Sequence, residues 1–206
     1  WPGGARQMMQ AAYPLVTQVM NNLAGGSNSM NFQQVLLDQN DGVYAVMGQA
    51  DDAKRDSCAV LLPSADNIDL VENMDDQVGP NRDYMLVNPQ WRRRSDFGGL
   101  FGRNDKAVAY AEAFEPTFSL TNLICEGESI RVLRNYPGPW RVFYRTEVDG
   151  QVDWSELGSK PVLDTKPANW NSLPENKRDG GILFNYGQPS YQEIADMSPG
   201  PKRPSP

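Results

Sequence analysis

Chemistry in this chain has few candidate side chains to start from, because its 206 residues include two cysteines, Cys58 and Cys125, and no histidine. Without imidazole there is no Ser-His-Asp or Cys-His machinery, no histidine metal site and no ordinary neutral-pH proton shuttle. Each cysteine sits inside an apolar stretch that reads as a strand, so both are expected as inert core thiols in a reducing compartment, unpaired and without metal. The acidic pairs Asp51-Asp52 and Asp75-Asp76 have no calcium-loop spacing around them and read as solvated faces. Gly98-Gly99-Leu100-Phe101-Gly102 lacks the preceding strand and following helix start that a dinucleotide loop needs, and no P-loop signature occurs. The sequence therefore nominates no catalytic, cofactor-binding or metal-binding residue.

Charge points instead to partners. The net charge is −7 and the sequence pI is near 4.6, so a nucleic-acid backbone or an anionic lipid surface is repelled on average. Against this acidic background stand Arg92, Arg93 and Arg94, followed by Arg103, in a long loop. Loops of that length serve either as mobile connections or as binding elements. No apolar run reaches the roughly 18 to 20 residues needed to span a bilayer. A chain that starts at Trp1 is compatible with loss of an organelle-targeting peptide.

The elements that must position these residues follow from hydrophobic spacing. Ala5 to Ala24 has helical periodicity closed by Gly25-Gly26, with Pro14 either in its first turn or at a kink. Phe32 to Asp38 and Val43 to Met47 flank the turn Gln39-Asn40-Asp41-Gly42. Cys58 to Leu62 and Tyr84 to Val87 are continuous apolar runs, the mark of strands covered on both faces. Between them Ser64 can cap a helix whose apolar face is Ile68, Val71 and Met74. Strand, helix, strand predicts a βαβ unit with parallel neighbours. A helix over Asp105 to Phe114 precedes a change to strands at Phe118 to Cys125, Ser129 to Leu133, Trp140 to Val148 and Val152 to Leu157.

At the centre of that last group lies Tyr136-Pro137-Gly138-Pro139-Trp140. Apolar residues alternate on both sides of it, so it reads as the stiff turn of a hairpin. The prolines fix φ, Gly138 is available for positive φ, and Trp140 plugs the corner. An SH3-like barrel over Leu123 to Leu157 would explain only this third of the chain.

The fold class expected is α/β: a mixed sheet with a parallel βαβ part flanked by helices, antiparallel strands added C-terminally, and a long extended C-terminal arm. The domain runs over 1–160 and the arm over 161–206. That arm is rich in proline, with anchors at Trp170, Phe184, Tyr186 and Tyr191, and its composition needs a surface to hold it.

Four segments in order, Leu61-Leu62-Pro63-Ser64, Leu86-Val87-Asn88-Pro89-Gln90-Trp91, Phe114-Glu115-Pro116-Thr117-Phe118-Ser119-Leu120 and Arg134-Asn135-Tyr136-Pro137-Gly138-Pro139-Trp140-Arg141-Val142-Phe143, carry a resemblance. From about Ala5 to Leu157 the chain resembles a domain-of-unknown-function family, number nineteen ninety-five, of plants, algae and cyanobacteria. That family includes a low-photosystem-II-accumulation assembly factor and a version fused to a chloroplast adenylate kinase. The resemblance implies a chloroplast setting at the stromal side of the thylakoid membrane and a non-catalytic role beside a photosystem, with photosystem or light-harvesting subunits as partners. It carries over no catalytic residue. The arginine loop departs from the family pattern and the arm lies outside the resemblance, so it is charge and composition alone that make Arg92, Arg93, Arg94, Arg103, Trp170, Phe184, Tyr186 and Tyr191 the residues expected to touch a partner, while Tyr136 to Trp140 are structural. The competing expectation is a nucleotide-binding or enzymatic α/β domain with its ligand near Pro63-Ser64 and Asn88-Pro89, where such sheets collect ligands. A third is a pigment-associated subunit.

Overall fold

Ser57, Cys58, Ala59, Val60 and Leu61 are all buried, and the strand they make lies inside the first of two four-stranded sheets. The computed structural model describes residues 4–26, 30–80, 82–91, 94–99, 102–162 and 187–198. The chain divides into two units: Trp1–Trp91 with Asp96–Tyr110, and Arg92–Ser95 with Ala111–Pro206.

The first unit opens with α1 (Ala5–Leu23), followed by β1 (Asn31–Asp38), β2 (Val43–Gln49) and β3 (Ser57–Leu61). Then come α2 (Ile68–Val78) and β4 (Asp83–Val87). The sheet order is β1-β2-β3-β4, with β3 and β4 parallel and the other pairs antiparallel. The predicted βαβ unit is therefore β3-α2-β4. Met9, Val16 and Met20 of α1 pack with Val46, Ala59 and Leu61. Because side chains alternate along a strand, Cys58 and Val60 face the other side, where α2 buries Ile68, Val71, Met74 and Val78. Helix α1 runs through Pro14 without ending, since its buried stripe is held on the sheet on either side of the proline. Ser64 caps not α2 itself but the 3-10 turn Ala65–Asn67 that leads into it: Asn67 Oδ1 accepts from Ser64 N–H at 2.8 Å and Asn67 Nδ2 donates to Ser64 Oγ at 2.9 Å, and α2 then begins at Ile68 with Asn67 as its N-cap. The short hairpin of β5 (Gly98–Gly99) and β6 (Gly102–Arg103) follows, then α3 (Asp105–Glu112), whose last two residues belong to the second unit.

The second unit is an antiparallel sheet of β7 (Phe118–Cys125), β8 (Glu128–Asn135), β9 (Trp140–Val148) and β10 (Gln151–Lys160), in the order β10-β9-β8-β7. This corrects the expectation of one mixed sheet with antiparallel strands added to it. The reason is local. Each of these strands turns directly into the next, through Glu126-Gly127, the Tyr136 to Pro139 corner and Asp149-Gly150, so each finds its partner before any distant edge. Glu126 and Gly127 have φ of 51° and 91°, and Asp149 and Gly150 of 52° and 76°, the left-handed pairs of tight two-residue hairpins.

The Pro-Gly-Pro hairpin forms as read, with Arg134 opposite Trp140 and Ile130 opposite Tyr144. The Tyr136-Pro137 bond is cis, and Gly138 does not adopt the positive φ expected of it. Glycine is required there by space, because a Cβ at Gly138 would lie 2.9 Å from the Asn135 carbonyl oxygen. Trp140 is fully buried with Cys125, Ile130, Val132 and Val142, and Ile194 completes this core. Ile194 belongs to α4 (Tyr191–Met197), so part of the predicted extended arm is a helix packed on the sheet.

Candidate interaction surface

Side chains of the second sheet divide between two faces. One is the core around Trp140, and the other carries the even-numbered residues of β7 and the odd-numbered residues of β8 and β9. On β7 the second face is open: Phe118 is 65% exposed, Leu120 47% and Ile124 62%. Large apolar groups exposed side by side on one strand mark a contact surface more often than singly scattered ones do.

Register extends this face across the sheet. Asn122 lies opposite Arg131, Arg131 opposite Phe143, and Phe143 opposite Glu156. Arg131 donates from Nε to Asn122 Oδ1 at 3.0 Å, and its guanidinium carbon lies 3.8 Å above the Trp154 ring. Arg141 repeats the motif, 4.8 Å from the Phe143 ring centroid, and donates to Glu156 from Nε at 3.1 Å. The Glu156 carboxyl is lowered from its ordinary range chiefly by that hydrogen bond. Stacking fixes each planar cation over an aromatic ring; Arg141 spends Nε and Nη2 on Glu156, whereas Arg131 is held by the neutral Asn122 amide. Cations held over rings and exposed aliphatics beside them suit a protein surface that offers apolar contacts and carboxylates together.

Of the residues expected to touch a partner, Arg92, Arg93, Trp170, Phe184, Tyr186 and the side chain of Arg103 lie outside the described residues. Arg94 is corrected: it is 7% exposed, and its guanidinium grips Glu112 through Nε at 2.9 Å and Nη2 at 2.6 Å, both to Oε1. A guanidinium buried and paired in this way is part of the fold. Tyr191 is 57% exposed, with its hydroxyl oxygen accepting from Glu126 N–H at 2.8 Å. Sequence reasoning missed Phe118, Leu120, Ile124, Arg131 and Trp154. The alternation within β7 was a usable signal, whereas the Arg131 and Trp154 pairing across two strands was not.

Potentially reactive groups are held in their protonated forms. Cys58 and Cys125 are free and buried, as expected. Burial, aided by Asp75, pushes the Cys58 thiol up to about 12. Tyr84 and Tyr110 are likewise raised, first by burial; Tyr84 donates to the Val71 carbonyl at 2.7 Å and Tyr110 to Asp75 Oδ2 at 3.0 Å. Asp75 is thus engaged within the fold rather than merely solvated. Among the described residues no group of three or more Cys, Asp or Glu is placed to hold a metal ion, and no helix is long and apolar enough to cross a membrane.

At the carboxyl ends of the parallel strands, Leu62 and Asn88 have φ of 57° and 50°. Two left-handed corners before prolines sit side by side, joined by Leu62 N–H to Val87 O and Gln90 N–H to Pro63 O, each 2.8 Å. Asp66 lies in the adjoining turn, Asp69 begins α2, and Asp41 Oδ2 accepts from Asn67 at 3.4 Å. Negative charge gathered at that helix start opposes phosphate, the ligand such a position otherwise favours.

These features define a mixed α/β protein of two units, one with a parallel pair and one an antiparallel sheet with an open face. The chain belongs to the family described as a domain of unknown function (DUF1995), which matches residues 2–165. The match takes in both sheets and ends before α4. No curated protein matches and no solved structure matches.

Proposed function

We propose that the chain is a non-catalytic interaction protein that docks through the open face of its antiparallel sheet onto a larger protein assembly. The observation that carries this reading is the apolar row Phe118, Leu120 and Ile124 beside arginines stacked on Trp154 and Phe143. The resemblance of the Leu-Val-Asn-Pro and Tyr-Pro-Gly-Pro-Trp segments supports a chloroplast setting. There the assembly is a photosystem, met from the stromal side of the thylakoid membrane by a peripheral subunit or assembly factor. A partner rich in carboxylates is oriented by Arg131, held by the neutral Asn122 amide and the Trp154 ring, on a chain whose overall charge is −7.

Deleting 161–206 is a poor test of docking, since it removes Ile194 from the core around Trp140. Point changes in the middle of the face separate the two effects. Arg131→Glu with Trp154→Ala leaves the Trp140 core untouched and is expected to abolish co-purification with photosystem particles while far-ultraviolet circular dichroism is unchanged. Full retention of those particles by the folded variant rejects the face.

The second reading, a nucleotide-binding or enzymatic α/β domain, is favoured by the paired left-handed corners at Leu62 and Asn88. Heat on titrating ATP into the full chain, lost on Asn88→Ala, would establish it.

A further inference from the structure

We infer that the chain pairs with a second copy of itself along β7. This inference stands apart from the docking reading, because it rests on backbone groups and not on what the open face recognises. Among the described residues β7 closes one edge of its sheet, with no strand beyond it. Tyr136 N–H bonds to Thr117 O at 2.8 Å, which makes that opposed pair a hydrogen-bonded one. Such pairs recur at every second position, so Ser119, Thr121, Leu123 and Cys125 bond to β8. The N–H and C=O groups of Phe118, Leu120, Asn122 and Ile124 consequently point out from the edge. The two-residue turn at Glu126-Gly127, closed by Cys125 opposite Glu128, requires the same phase.

Edges of native sheets are normally guarded by charge, bulges or shortness. The other three edges of the two four-stranded sheets are guarded here. Strand β10 carries Asp153, Glu156 and Lys160 and shifts register between Glu156 and Gly158. Strand β4 has five residues and begins at Asp83. Strand β1 exposes Asn31, Gln33 and Gln34 and shifts register before Asp38. Strand β7 has no charged residue, no bulge, and eight residues in unbroken register.

The occupant is a second copy because the edge is self-complementary. Antiparallel pairing about a two-fold axis through Thr121 sets Phe118 against Ile124 of the other copy and Leu120 against Asn122, using all four outward residues. It adds about eight backbone hydrogen bonds. No like charges meet along the seam even though each chain carries −7 overall. Thr121, bonded to β8, becomes a pair without hydrogen bonds across the axis, with α-carbons about 4.5 Å apart, close enough for a disulfide. Tyr191, which holds Glu126 N–H, sets the end of the seam at Ile124.

Sedimentation equilibrium of the full chain is expected to give a dimer mass, and Leu120→Lys with Ile124→Lys a monomer mass with unchanged circular dichroism. Should the double variant misfold, mild oxidation decides: Thr121→Cys is expected to cross-link into a covalent dimer, whereas Ser119→Cys, which faces residue 123 of the other copy, does not. A wild-type chain that stays monomeric at its highest soluble concentration overturns the proposal. So does a dimer in which Thr121→Cys fails to cross-link.

Discussion

Trp140 shows how much one side chain settles in this protein. It has no exposed surface, follows the Pro137 to Pro139 corner directly, and meets Ile130, Val132, Val142 and Ile194. Above it, Arg134 is buried, its guanidinium carbon 5.7 Å from the indole, and donates to Glu115 at 2.8 Å. Removing the ring leaves a cavity that a stiff hairpin cannot collapse around. Trp140→Ala is therefore expected to cost about 3 to 5 kcal/mol, read from the midpoint of urea unfolding. Cys58 makes the opposite point. A thiol pushed up to about 12 is almost entirely protonated at neutral pH, so in the folded chain it is expected to stay unlabelled by iodoacetamide, with full labelling in denaturant. Rapid labelling of the native protein would contradict its burial.

Among the elements, α4 depends most on context. Seven residues are too few to be helical alone in water, and their stability comes from Ile194 in the core and from the cap. Ser190 Oγ accepts from Glu193 N–H at 3.3 Å, while Glu193 Oε2 accepts from Ser190 N–H at 2.7 Å and from Lys160 Nζ at 3.0 Å. Loss of the hydroxyl half of this reciprocal cap in Ser190→Ala is expected to weaken the helix by about 1 kcal/mol. Hydrogen exchange at the Ile194 amide, which donates to Ser190 O, is the measurement, and unchanged exchange would show that packing alone holds the helix. Nothing in the residues preceding Ser190 announces this helix. Its capping residues were readable, but in a proline-rich stretch the composition outweighed them.

At the scale of the whole molecule, stability should fall at both ends of the pH range. For Cys58 the folded value lies above the unfolded one, so its contribution is complete below about pH 9.0 and is lost as pH rises toward about 12. Tyr84 and Tyr110, raised from 10.0, add to the alkaline loss in the same sense. Glu193 works in reverse. Burial acts to raise its carboxyl, but the Ser190 and Lys160 hydrogen bonds outweigh it, so the group is lowered from 4.5. Its contribution is present above about pH 4.5 and disappears as pH falls through the folded value. Thermal midpoints across pH are expected to form a plateau bounded by these two limbs, and a midpoint that holds steady above pH 9.0 would refute the burial of the thiol and phenols.

Local order was written in the sequence itself. The β3-α2-β4 unit, the Ser64-capped turn that leads into α2, the hairpin around Pro137 to Pro139 and the two buried thiols were legible because each depends on residues a few positions apart, through periodicity, capping and turn chemistry. Tertiary structure decided the rest: that β7 to β10 form a sheet of their own, that Arg94 turns inward to Glu112, and that Arg131 and Trp154 meet across two strands. Those outcomes depend on which strands become neighbours and in which register. A one-residue slip would send every such side chain to the opposite face, and no local pattern specifies that choice alone.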